Sequence, residues 1–165
     1  MKKITSTLLT IFTLVIVFTF SVSANSPTGQ VHNTDSNSYV EYYNDGSYSI
    51  TTINTILESS SSRATTYIVT GERVVDLYNS SDELQWTYTL VGKFTVVYGE
   101  SVVCTSSTYT YEIFNNSWSL TDHSNSYRNN IASGTATFKK KVLFITTNTH
   151  NVDVEIGCDV YGNVG

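Results

Sequence analysis

The chain has 165 residues, a length that fits one domain, and its 9 basic against 14 acidic residues leave a formal charge of −5. With only 14% charged residues and an acidic balance, the chain lacks the clustered Lys and Arg of a phosphate-binding surface, so no nucleic acid partner is expected. The sequence has no glycine period, no sustained heptad and one long apolar run, which excludes collagen, coiled coils and multipass membrane proteins.

Residues 1–24 have the pattern of a signal peptide. Lys2 and Lys3 precede an uncharged apolar run over 4–20, and small residues at Val22 and Ala24 predict cleavage after Ala24. The alternative is an uncleaved membrane anchor, for which the apolar run is short. The sequence therefore predicts a secreted, extracellular protein that is not held at the membrane after cleavage.

Residues 25–38 contain almost nothing apolar, which predicts a flexible leader because such a segment cannot offset its ordering entropy. The remaining residues, 39–165, are expected to form the folded domain. Its first elements are strands over 39–43 and 47–57 joined by an Asn44-Asp45-Gly46 turn, since Asp-Gly supplies the positive φ of a tight hairpin. A serine-rich loop follows over 58–63.

The clearest pattern is the alternation of apolar and polar residues over 84–98, which is interrupted at Gly92. It predicts a long strand with one buried face and a bulge or bend at the glycine. A shorter strand over 73–78 precedes it, with residues 79–82 as the turn.

Short strands continue to the C-terminus. Residues 103–113 and 118–120 flank an Asn115-Asn116 turn, the even positions from Ala132 to Phe144 alternate with polar residues, and a last strand covers 152–160. No segment after the signal helix has a helical period. The predicted fold is therefore all-β, a single antiparallel β-sandwich or β-barrel domain.

Cys104 and Cys158 are the two cysteines of an exported chain, so they are expected to form a disulfide bond. A catalytic cysteine paired with His32, His123 or His150 is the alternative, but no nucleophile motif surrounds either cysteine.

Catalytic and metal motifs are weak throughout. No Gly-x-Ser-x-Gly elbow is present, and Asp153 with Glu155 offers a carboxylate pair for glycan hydrolysis that fits the solvated face of a strand equally well. Asn33, Asp35 and Asn37 are spaced as in a calcium loop that lacks its glycine and its closing glutamate. No catalytic residue, metal or cofactor is predicted.

The basic run Lys139-Lys140-Lys141 lies inside a predicted strand. Strand lysines commonly protect an exposed sheet edge from pairing with another chain, and contact with an anionic wall polymer is the functional alternative.

Aromatic residues outnumber what a small core needs, and flat rings with a polar edge stack on sugars. The residues that we select as binding contacts are Trp118, Tyr109, Tyr111 and Tyr127. Their partner is expected to be a cell-wall glycan, a host glycan or a surface protein, although tyrosine is also simply a good strand residue.

The order of features resembles a family of small secreted proteins of Gram-positive, Clostridia-like bacteria, a domain of unknown function. The residues that carry the resemblance are Asp45-Gly46-Ser47-Tyr48, Thr51-Thr52-Ile53, Tyr78-Asn79-Ser80-Ser81, Leu84-Gln85-Trp86, Gly92-Lys93-Phe94, Cys104-Thr105, Trp118, Cys158-Asp159 and Gly162-Asn163. One departure is Asp82, where such turns carry Gly. The resemblance implies export, a Cys104–Cys158 pair and an all-β fold, and it implies no activity.

Together these observations predict a secreted, non-enzymatic binding or surface-associated β-domain. The alternatives are a small secreted hydrolase acting on glycans and a membrane-active β-hairpin protein, because Ser and Thr alternating with apolar residues are also typical of pore strands.

Overall fold

The computed structural model describes residues 27–35, 37–58 and 65–165, and within these ranges it contains strands and turns but no helix. The nine strands are β1 (Pro27–Asp35), β2 (Ser38–Tyr43), β3 (Tyr48–Glu58), β4 (Thr66–Tyr78), β5 (Leu84–Val97), β6 (Ser101–Ile113), β7 (Trp118–Arg128), β8 (Ile131–Val142) and β9 (Ile145–Gly157). The all-β prediction is confirmed. The predicted signal peptide and most of the serine-rich loop lie outside the described residues.

The strands form two antiparallel sheets, with β1 to β6 in one and β7 to β9 in the other, each in chain order. Every neighbour in a sheet is also a neighbour in sequence, so short hairpin turns make most of the connections. Neither sheet closes on itself in the described ranges, so these strands do not form the closed barrel that was one predicted alternative. None of the described segments is a helix long and apolar enough to cross a membrane.

Strand β1 occupies most of the segment that composition assigned to a flexible leader. It pairs with β2 at the open edge of the larger sheet, with interruptions in register after Pro27 and after Asn33. Backbone hydrogen bonds can hold an edge strand that has no apolar side chains. Because composition describes only side chains, it did not indicate this strand.

The core lies between the two sheets and is centred on β5. Its alternation places Trp86, Tyr88, Leu90, Phe94 and Val96 on the inner face, each at most 1% exposed. The second sheet covers β4, β5 and β6, with β8 facing β5 and β6 and with β9 facing β4 and β5. The period-2 alternation in the sequence therefore corresponds to a strand that has the second sheet packed on one of its faces.

Gly92 stays in register with both neighbouring strands, and the nearby bulge lies on β6, where Thr105 is the extra residue opposite Lys93 and Phe94. The glycine is required by packing instead. A Cβ at this position would lie 2.9 Å from the Cβ of Ala132 on the opposite sheet and 2.9 Å from the Phe94 ring. The missing side chain lets the two sheets approach closely at this point.

Two five-residue turns share one construction. In the turn from Asn79 to Glu83, the Asn79 Oδ1 accepts hydrogen bonds from the amides of Ser81 and Glu83, and Asp82 takes a positive φ of 61°. In the segment after β9, Asp159 Oδ1 accepts from the amides two and four residues later, with Gly162 at a φ of 83°. Asp82 fills the position that Gly fills in the second turn, because aspartate tolerates the left-handed region.

Candidate functional site

Trp118, the predicted tryptophan contact, begins β7 and is 5% exposed. The rings of Trp86 and His150 are steeply inclined to its indole, at centroid distances of 6.4 and 5.6 Å. The Lys140 ammonium lies 6.0 Å from the ring centroid, a cation–π geometry. Trp118 is therefore part of the core that also forms a wall of a pocket.

The three predicted tyrosine contacts lie on β6 and β7. Tyr109 is half-buried, stacks on Tyr88 with centroids 5.9 Å apart, and has the His123 ring 4.6 Å away on its β7 side. Tyr111 and Tyr127 are 49% and 54% exposed. The structure thus places Tyr109 close to its neighbours in the core and leaves the other two rings half open to solvent.

Cys104 and Cys158 are free thiols in the structure, so the predicted disulfide is not seen. Both residues are buried beside the β7–β8 turn, where the Cys104 amide donates to the Asn129 carbonyl and the Cys158 amide donates to the Asn130 carbonyl. Burial raises the pKa of the Cys104 thiol, and burial together with Asp159 raises the pKa of Cys158 to about 11. Each sulfur instead approaches a backbone carbonyl, so both thiols are protonated packing groups at neutral pH.

Asp153 and Glu155, the predicted carboxylate alternative for glycan hydrolysis, project from the outer face of β9 and are exposed. Glu155 accepts a hydrogen bond from the Ser133 hydroxyl on β8 at 2.9 Å. Neither residue lines either of the two pockets described below.

Lys139, Lys140 and Lys141 lie on β8, which is the central strand of its sheet. The prediction that they protect a sheet edge is therefore wrong, because β7 and β9 pair with β8 on both sides. A register shift occurs here, but its extra residue is Thr147 on β9, so the alternation of β8 continues through Lys140. Lys140 pairs with Trp118 on β7 and its ammonium lies over the indole, whereas the side chain of Lys141 is exposed.

A pocket of about 120 Å³ opens at the end of the molecule where the β2–β3 and β4–β5 turns approach the start of β9. Its walls combine one indole and one leucine with a carboxylate, an ammonium, three amides and two hydroxyls. The lining residues are Asp45, Ser47, Leu77, Asn79, Ser80, Gln85, Trp118, Lys140 and Asn148.

Gln85 organises the floor of this pocket. It is 3% exposed, and its Oε1 accepts from Asn115 Nδ2 at 2.8 Å and from Trp118 Nε1 at 3.4 Å. Its Nε2 donates to the Glu83 carbonyl at 2.8 Å. These bonds fix the glutamine and the indole relative to the two turns, which preorganises the wall.

Asp45 and Asn148 connect the two sheets at the mouth of the pocket. Asn148 Nδ2 donates to Asp45 Oδ2 at 2.8 Å, and the amide and hydroxyl of Ser47 donate to Asp45 Oδ1. The Oδ1 of Asn148 is shielded from solvent and has no hydrogen-bond partner among the described residues. A buried acceptor without a donor costs free energy, which a donating ligand would recover.

His150 lies behind the tryptophan wall and is 2% exposed. The Tyr43 ring meets it edge-on with centroids 4.4 Å apart, and its Nε2 has no hydrogen-bond partner in the described chain. Burial lowers the pKa of His150 to about 4, although the Asp45 carboxylate opposes that shift. The imidazole is therefore neutral at physiological pH and serves as an aromatic packing group.

A second pocket, of about 380 Å³, lies at the opposite end of β9. It is lined by Asn130, Gly157, Cys158, Asp159, Asn163, Val164 and Gly165. The Asn163 side-chain amide and the backbone amides of the same turn donate to Asp159 and lower the pKa of its carboxyl. No set of three His, Cys, Asp or Glu side chains that could hold a metal ion occurs in the ranges that the structure describes.

Sequence reasoning found Trp118 but missed Asp45, Gln85 and Asn148. These three residues are 40 to 103 positions apart and meet only because the turn end of one sheet lies against the other sheet. No local pattern marks them, since each is also an ordinary residue of a turn or a strand. Comparisons with protein-family models, with curated proteins and with solved structures found no match to the chain.

Proposed function

We propose that the chain is an exported, non-enzymatic β-sandwich that binds a sugar unit of an extracellular glycan in the pocket beside Trp118. The observation that carries this proposal is the convergence of Asp45, Asn148 and Lys140 on a pocket with an indole wall. Export rests on the signal-peptide pattern of residues 1–24.

The donor and acceptor balance of the pocket favours a neutral polyhydroxylated ligand. A sugar hydroxyl both donates and accepts, so it suits a wall in which amides, hydroxyls and a carboxylate alternate. Asp45 and Lys140 carry opposite charges and give neither anions nor cations a clear advantage. A small rotation that brought Asn148 Oδ1 to a ligand hydroxyl would satisfy the acceptor that is unpaired in the free protein.

The size of the pocket limits what can enter. About 120 Å³ is well below the 300–1,000 Å³ typical of drug-sized ligand sites, so one sugar unit is the largest group expected inside. The rest of a glycan would extend over the β2–β3 and β4–β5 turns. Affinity is therefore expected to be weak for a monosaccharide, with a Kd of about 1 mM.

The test is an NMR titration of the labelled protein with neutral hexoses, N-acetylhexosamines and their disaccharides. We expect at least one sugar to shift the Trp118 and Asn148 side-chain signals saturably. The Asn148→Ala variant should weaken that binding by about tenfold or more, because it removes both the acceptor and the partner of Asp45.

Asn151→Ala is the matched control, since Asn151 is an exposed asparagine on the same strand whose Oδ1 accepts from Thr137 on the outer face. Its sugar affinity should equal that of the parent chain. Unaltered binding by a folded Asn148→Ala variant would contradict the site, and absence of saturable shifts with every sugar would contradict the proposed function.

A further inference from the structure

The β8–β9 turn ends in an apolar tip, formed by Val142, Leu143, Phe144 and Ile145. These four consecutive side chains are 49%, 85%, 100% and 42% exposed. Phe114, at 49% exposure, belongs to the neighbouring β6–β7 turn, whose Ser117 carbonyl accepts from the Lys141 amide at 2.8 Å. Exposed apolar residues are normal singly, but a contiguous group at a protruding turn indicates an interaction site.

The backbone of the tip is unfavourable for the residues that it carries. Val142 pairs with Ile145, and the two central residues, Leu143 and Phe144, both have positive φ, 48° and 70°. This two-residue primed turn is ordinarily built from Asn, Asp or Gly, because a Cβ makes the left-handed region costly. Bulky apolar residues here therefore serve something other than turn stability.

Basic residues precede the apolar tip on β8, and Lys141 is adjacent to it. Lys139, Lys140 and Lys141 are three of the six Lys and Arg residues in the described ranges. No Asp or Glu occurs between Asp122 and Asp153, a stretch that contains the whole tip. Of the acidic residues at this end of the molecule, Asp45, Asp82 and Glu83 lie on turns of the other sheet and each accepts a hydrogen bond, Asp45 from Asn148 on β9. Glu112 is exposed on β6, two residues before Phe114.

We propose that the β8–β9 tip inserts into an anionic lipid bilayer, with Leu143 and Phe144 in the acyl boundary and Lys141 among the headgroups. A bilayer accepts a narrow apolar protrusion without a complementary pocket, and lysines beside the tip add attraction to anionic lipid. A protein partner ordinarily requires about 800 Å² from each side, which a four-residue tip does not supply by itself. This inference is independent of the sugar pocket.

The test uses cosedimentation with vesicles of phosphatidylcholine alone and of phosphatidylcholine with an equal amount of phosphatidylglycerol. The protein is purified from cells that express the full chain, and every variant is checked for the same N-terminus by mass spectrometry. We expect binding to the anionic vesicles that weakens as salt rises, since surface attraction is screened. Neutral vesicles should bind at least fivefold less protein.

The decisive variant is Leu143→Asn with Phe144→Gly, which gives the turn its preferred residues and removes the two most exposed apolar side chains. This variant should fold, and its affinity for the anionic vesicles should fall by about tenfold or more. Lys141→Gln should reduce the affinity for anionic vesicles by about fivefold and leave binding to neutral vesicles unchanged. Leu57→Asn is the control, because Leu57 on β3 is a 67% exposed leucine outside the tip.

Equal binding by the turn variant and the parent chain would overturn the proposal, as would absence of binding to anionic vesicles. Analytical ultracentrifugation tests the remaining explanation, that the tip is an interface between two copies of the chain. A dimer of the parent chain that the turn variant abolishes, without lipid binding, would assign the tip to a second copy and would also overturn the proposal.

Discussion

The packed interior and the β8–β9 tip contain the same types of apolar residue, but these residues are buried in the interior and exposed in the tip. Phe138 and Phe144 lie six positions apart on one hairpin, yet Phe138 is fully buried and Phe144 is fully exposed. Between them β8 ends at Val142, and residues 141–145 are all exposed. The apolar residues up to Phe138 therefore have a structural role in the core, and the exposed ones from Val142 onward need another explanation.

The largest expected effect on the unfolding free energy comes from a substitution in the packed interior. Phe138→Ala removes a ring that stacks on Trp86 with centroids 4.1 Å apart, and it leaves a cavity between the sheets. We expect a loss of about 3–5 kcal/mol in unfolding free energy by urea titration. The same substitution at Phe144 should change that free energy by less than about 0.5 kcal/mol. Similar losses at both positions would mean that the tip is packed in solution.

The next effect concerns the boundary between the two regions, where His150 is buried. Its folded pKa of about 4 lies below the ordinary value of 6.5, so the unfolded chain binds the additional proton between these values. Stability should therefore be fully present above about pH 6.5 and fall as pH decreases toward 4, by up to about 3 kcal/mol.

His150→Phe should remove most of the change in unfolding free energy between pH 6.5 and 4 that this histidine causes, measured by urea titration at several pH values. His123→Phe is the matched control, because His123 is exposed on β7. A pH profile that His150→Phe leaves unaltered would show that the imidazole is not held neutral by burial.

Much of the fold was predictable because one face of each central strand is buried. The alternation in β5, the Asp-Gly turn before β3 and the turn after β4 carry local signals that the structure confirms. The pattern failed at Val142 and Phe144, which continue the even-numbered alternation of β8 but lie beyond the covering sheet. Alternation reports which residues share a face, whereas burial depends on what packs above that face.

The candidate site was less predictable for the same reason. Trp118 was found from its residue type, but its role as a pocket wall depends on Gln85 and Lys140, which no local spacing connects to it. The expected disulfide depended on compartment and cysteine count, and the structure places both thiols beside one turn without joining them. Contacts between distant segments determine both features, and a single sequence does not specify them.

The smallest effect distinguishes two turns at the same end of the molecule. Asp82 and Phe144 both have positive φ, 61° and 70°. Phe144→Gly should raise the unfolding free energy by about 0.5–1 kcal/mol, because relief of the left-handed strain exceeds the entropy that glycine adds to the unfolded chain. Asp82→Gly should give no gain, since aspartate tolerates this region and the Tyr48 hydroxyl donates to its carboxylate at 2.9 Å. Thermal unfolding of the two variants provides the comparison, and a gain at Asp82 without one at Phe144 would show that the apolar tip is not strained.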